Sequence, residues 1–114
     1  MPMLISTTID GATAVISPIG AIDFHALPRL VASGRYLPDS VTQMTWDLSE
    51  ATFVDVAGLH LLVQERRECL QVGRALSITG LGDQPQRLLQ VAQELFPAEH
   101  WDDFLPGGQL AAAA

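Results

Sequence analysis

The sequence predicts one α/β (α+β-like) domain in the order ββαβαβα, a mixed four-stranded sheet with its helices packed on one face. Three observations carry this expectation. β-Branched runs on either side of Asp10-Gly11 describe a hairpin. Downstream, short strand-like runs alternate with longer segments whose apolar residues recur at helical spacing. Short loops between them call for right-handed crossovers, with sequential elements as neighbours. The chain has 114 residues, 48% hydrophobic and 17% charged, which suits one core and not two.

Leu4 to Ile9 is rich in β-branched residues and sets Ile5, Thr7 and Ile9 on one face of a first strand. Asp10-Gly11 is hairpin turn chemistry, so the second strand, Ala12 to Ser17, pairs antiparallel with the first, and Pro18 and Gly20 end it. Phe24, Leu27, Leu30 and Val31 recur at helical spacing. Pro28 is tolerated only in a first turn, so Asp23 to Ala26 is an irregular approach with regular helix from Leu27, closed by Gly34 and Pro38.

Val41 to Ser49 alternates, placing Met44, Trp46 and Leu48 on one covered face of a strand. Phe53 and Val54 form a short apolar bridge into a helix from Ala57 to Val72. Leu59, Leu62, Val63, Cys69 and Leu70 form its predicted buried stripe, with His60, Gln64, Glu65, Arg67, Glu68 and Gln71 elsewhere. Gly73 is its expected C-cap. Ala75 to Gly80 is the fourth strand. Asp83 and Gln86 form a capping-box pattern before a last helix that buries Leu88, Leu89, Ala92, Leu95 and Phe96, and Pro97 stops it. The domain is expected over 1–97, and 98–114 forms a C-terminal tail in which Trp101 is at least partly exposed. The alanine run at 111–114 is set aside from fold reasoning as a candidate expression scar.

Charge narrows the partner classes. Six Lys and Arg against 13 Asp and Glu give a formal net charge of −7. Such a surface repels phosphate backbones and anionic lipid, so nucleic acid and membrane surfaces are poor partners and a basic protein face is a better one. A single cysteine, Cys69, forms no intramolecular disulfide and points to a reducing cytoplasm. The opening residues lack the basic and apolar regions of a signal peptide, and no apolar run reaches the ~18–20 residues of a membrane span.

Catalytic and metal-binding patterns are missing. His25, His60, His100 and Cys69 sit in separate elements, without C-x-x-C or H-x-x-x-H spacing. Cys69 reads as a small core hydrophobe. The nucleophile elbow, the P-loop and the dinucleotide glycine fingerprint are absent, and Gly80-Leu81-Gly82 reads as a strand-to-helix turn. The expectation is a protein that binds and does not catalyse, without cofactor or metal.

One segment carries more. Trp46 to Leu62 reads WDLSEATFVDVAGLHLL, with Asp47-Leu48-Ser49, then Phe53-Val54-Asp55, then Ala57-Gly58-Leu59; upstream stands Ile19-Gly20-Ala21-Ile22-Asp23. These two motifs, in this order and spacing, resemble the STAS domain, and within it the anti-sigma factor antagonists; the resemblance covers Leu4 to Phe96. It implies a cytoplasmic bacterial regulator of transcription whose partner is an anti-sigma factor with an ATPase-like kinase fold. In that family the residue after the aspartate is a serine that the partner phosphorylates: the dephosphorylated antagonist binds the partner and frees the sigma factor, and the phosphorylated form dissociates. Here that position is Val56, which has no hydroxyl. Thr52 and Ser49 are nearby hydroxyls, offset from the motif.

The resemblance implies a partner surface made of Asp23, Phe24, His25, Asp55, Val56, Ala57, Gly58, Leu59 and His60. A plainer role stands beside several of these. Asp55 is either a helix cap, a partner contact or both, Asp23 a turn residue or a contact, and Gly58 a close-packing position. Two other functions stay open: a STAS accessory subunit of an ABC-type lipid transporter docking on its ATPase, and a nucleotide-sensing module.

Overall fold

The computed structural model describes residues 3–108 and residue 110; the alanine run lies outside the described residues. Strand β1 (Leu4–Asp10) turns through Gly11-Ala12 into β2 (Thr13–Ile22), pairing antiparallel from Asp10↔Thr13 to Leu4↔Ile19. The hairpin is where its turn residues predict it. β2, however, runs five residues beyond Ser17, through Pro18 and Gly20. Pro18 is tolerated because β3 (Gln43–Asp47) pairs with β2 only as far as Ile16↔Trp46, and the next parallel partner begins at Gly20. The missing amide donor thus falls in a gap of the ladder.

That next partner is the main departure from the expected sheet. Residues 51–54, read as an apolar bridge, form a strand, β4 (Ala51–Val54), parallel to the end of β2. With β5 (Ala75–Thr79) beside β3, the sheet has five strands, ordered β1-β2-β3-β5 with β4 on β2. Ala51-Thr52-Phe53-Val54 is as short as a legible strand can be and does not alternate strictly, so only the partner strand reveals it.

Helix α1 (Leu27–Arg35) starts after an irregular turn, with Pro28 in its first turn as expected. It passes Gly34, which is buried in the helix and does not close it. Helix α2 (Val56–Val72) ends at Gly73 in the left-handed conformation, as predicted. Its buried stripe is rotated from the expected one. Ala57, Gly58, Leu61, Leu62, Glu65 and Cys69 are buried, Leu59 and Val63 only half, and Leu70 is exposed. Gly58 accounts for this: a Cβ there would overlap Val54 Cγ1 and touch Ile22 Cγ2, so the helix is seated with Gly58 inward. Positions 61, 62, 65 and 69 follow by helical periodicity, and Glu65 goes into the core with them.

Helix α3 (Asp83–Leu95) has Gly82 at its cap position, and Asp83 is its first residue, without a side-chain cap bond. The predicted capping box is not made; Gln86 Nε2 donates to the Leu81 carbonyl instead, at 2.8 Å. Leu89 and Ala92 are buried as expected, but Leu95 and Phe96 are exposed. The chain leaves α3 at Phe96 and makes two 3-10 turns, Pro97–Glu99 and Trp101–Phe104, packed against α3. Trp101 and Phe104 enter the core there, at 8% and 1% exposure. Trp101 is therefore not the partly exposed tail residue expected from its acidic surroundings. Arg66 secures this segment: its guanidinium stacks on the Phe104 ring at 4.7 Å and donates to the Glu99 carbonyl at 2.7 Å. Met44, Trp46 and Leu48 are all buried, as their alternation predicts.

Candidate functional site

The junction from β4 into α2 is built by backbone pairing and held from two sides. The Asp55 amide donates to the Ile22 carbonyl at the end of β2, at 3.3 Å. From α3, Gln84 exchanges two hydrogen bonds with Val54, accepting from its amide at 3.0 Å and donating to its carbonyl at 2.7 Å. A side-chain amide here does the work of a neighbouring strand. Asp55 is the N-cap: its backbone is extended and its Oδ1 accepts from the Ala57 amide at 2.8 Å. The carboxylate also sits at the positive end of the α2 dipole.

A second segment converges on this junction. Asp23 Oδ1 accepts from the Ala26 amide at 3.0 Å, shaping the turn that leads into α1. The turn projects Phe24, whose ring meets that of His60 in α2 at a centroid separation of 6.3 Å. The two sequence-predicted segments, 23–25 and 55–60, are thus brought together through one aromatic contact.

The surface they present is apolar and open. Val56 is 53% exposed and Phe24 60% exposed, while Phe53, His25 and His60 are also exposed. Leu59 is half-buried, whereas Ala57 and Gly58 have no surface to offer and serve to seat the helix. From Val56 a groove of about 670 Å³ continues along α2, bounded by Leu59 and Val63 on one side and Phe96 and Trp101 on the other. Its far end is polar, with Gln64, Arg67 and Gln71.

Phe53, Gln84 and Phe96 are absent from the sequence-predicted set. Phe53 carries a signal, as an aromatic at the edge of a motif. Gln84 carries none, because its role depends on where α3 lands. Phe96 has the helical spacing of a core residue, but it is 63% exposed while Trp101 and Phe104 are buried.

Chemically the junction offers contact. Val56 has no group to ionise or transfer, and Ser49 and Thr52 are exposed hydroxyls outside the first turn of α2. Among the described residues there is no cluster of three or more His, Cys, Asp or Glu side chains able to hold a metal, and no helix long and apolar enough to cross a membrane.

Known structures share this architecture. The unphosphorylated form of the anti-sigma factor antagonist SpoIIAA is similar with a TM-score of 0.64 and 21% identity, covering 76% of this chain and 82% of that one. An anti-sigma factor antagonist from Mycobacterium paratuberculosis gives 0.70 and 21%, covering 84% of each chain. An antisigma-factor antagonist STAS domain from Rhodobacter sphaeroides gives 0.58 and 13%, covering 68% and 86%. At these identities the likeness concerns the fold. Among curated proteins no sequence match is found. The family model for the STAS domain matches residues 4–97, and the chain belongs to the STAS domain family.

Proposed function

We propose that this chain is a regulatory binding protein of the anti-sigma factor antagonist type, docking an anti-sigma factor of ATPase-like kinase fold through the first turn of α2 and the adjoining Phe24 turn. The observation that carries this reading is Val56: a half-exposed apolar side chain at a capped helix N-terminus, in register with Asp55 and Ala57-Gly58-Leu59 of the family motif. Exposed apolar side chains at Val56 and at Phe24, whose ring meets that of His60 in the same helix turn, are the composition of a contact surface. The net charge of −7 on the chain favours a basic partner face. With valine at the phosphoacceptor position, the antagonist stays in its binding form, and release depends on something other than phosphorylation of that residue.

Val56→Asp tests the proposal. A charge placed in a contact that must shed water weakens binding by on the order of 2–5 kcal/mol. The fold suffers little, because an anion at a helix N-terminus is locally favourable. Calorimetric affinity for the anti-sigma partner is the measurement, with circular dichroism as the folding control. Unchanged affinity in a folded variant would move the interface away from α2.

A further inference from the structure

Glu65 is the one charged residue of the described core, 1% exposed, and Oε1 has no hydrogen-bond partner. It lies where α2 crosses α1, against Gly34. A Cβ at Gly34 would stand 2.7 Å from Oε2 and 3.2 Å from Oε1, so the carboxyl occupies the space left by the missing side chain. Around it is a cavity of about 210 Å³, lined also by Met44 and Cys69, with Arg35, Glu68 and Arg74 among its other walls.

The neighbouring charges do not serve Glu65. Arg35 of α1 pairs with Glu68 of α2 at 2.8 Å. Arg74, after α2, donates to the carbonyls of Val41 at 2.8 Å and Pro38 at 3.1 Å. Cys69, one turn on, is itself held protonated: burial first, and then Glu65, push its thiol up to about 11. An ionised Glu65 would therefore stand in the core with no counter-ion in contact, beside the like charge of Glu68.

We propose that Glu65 is a proton-operated latch between α1 and α2. Neutral, its carboxyl rests on Gly34 and the helices close over it. Ionised, it leaves that seat for water and the guanidinium groups at the cavity wall, and α1 loosens from α2. Burial, reinforced by Glu68 and opposed by Arg35 and Arg74, raises its pKa from 4.5 to about 8, so the transition falls at mildly alkaline pH. The unfolded chain gives up this proton near 4.5 and the folded chain near 8, so between them the folded state holds one proton more. Each pH unit in that window then costs the folded state about tenfold in its equilibrium with the unfolded chain, and the slope from this group ends above the folded value.

The test is a side-chain carboxyl titration of Glu65 by carbon-detected NMR on the full chain from pH 4 to 10, read together with the backbone amide shifts of residues 27–35. The expected result is a Glu65 midpoint near 8 with the α1 amides moving at the same midpoint, and no such movement in Glu65→Gln. A midpoint in the ordinary carboxylate range overturns the proposal. So does a high midpoint without any accompanying change in α1. The wild-type titration decides the matter even where the glutamine variant does not fold.

Discussion

Phe104→Ala probes whether the C-terminal turns belong to the core. The ring is 1% exposed, and the guanidinium of Arg66 stacks on it at 4.7 Å. Truncating a buried phenylalanine costs about 3–5 kcal/mol, and the stacking contributes roughly 0.5–2 kcal/mol of comparable interactions. A chain of this length has a total stability of about 6–17 kcal/mol, so the single change removes a large share of it. In urea, with a slope of about 1–3 kcal/mol/M, a 4 kcal/mol loss lowers the unfolding midpoint by roughly 2 M. Unfolding followed by far-UV circular dichroism measures this directly. Phe96→Ala is the matched control: the ring is 63% exposed, and its loss is expected to cost under about 1 kcal/mol. Equal, small losses from both variants would refute the packing argument and make the segment after Phe96 an appendage. Deleting everything after Phe96 removes Trp101 together with Phe104 and should leave no stable fold.

Two further outcomes bear on the α2 junction. Incubated with a cognate anti-sigma kinase and ATP, the wild-type protein should stay unmodified by mass spectrometry while Val56→Ser gains one phosphate at that residue; stoichiometric phosphate on Thr52 or Ser49 of the wild type would contradict the locked-state reading. Asp55→Ala removes the side-chain acceptor 2.8 Å from the Ala57 amide and should cost about 1 kcal/mol in thermal or urea unfolding, whereas Asp55→Asn or Asp55→Ser should cost less.

The linear sequence determined the local events of this fold. The Asp10-Gly11 hairpin, the approach turn before Leu27, the alternation of Met44, Trp46 and Leu48, and the Gly73 cap each depend on a few neighbouring residues. Backbone preference and short-range hydrogen bonding decide them, so pattern alone suffices. The segments of the candidate site were legible for the same reason: Asp55 is a cap in sequence and in space, and Val56 follows it into the first turn of a helix.

Tertiary packing decided the rest. β4 is short and does not alternate strictly, and it exists because the end of β2 offers an unpaired edge. Gln84 pairs with Val54 only because α3 returns to that point. The rotation of α2 turns on one steric fact, the contact of Gly58 with Val54 and Ile22, and it exchanges Leu70 for Leu61 in the core while carrying Glu65 inward. Hydrophobic periodicity misjudged that face because several adjacent stripes of this helix are comparably apolar, leaving the choice between them to a contact made far away in sequence. Trp101 and Phe104 follow the same logic. Their acidic neighbours suggest solvent, but the indole and the ring turn inward against α3 while Asp102 stays in water. Distant contacts of this kind cost chain entropy before they return any burial energy, and no local pattern records whether that exchange is favourable.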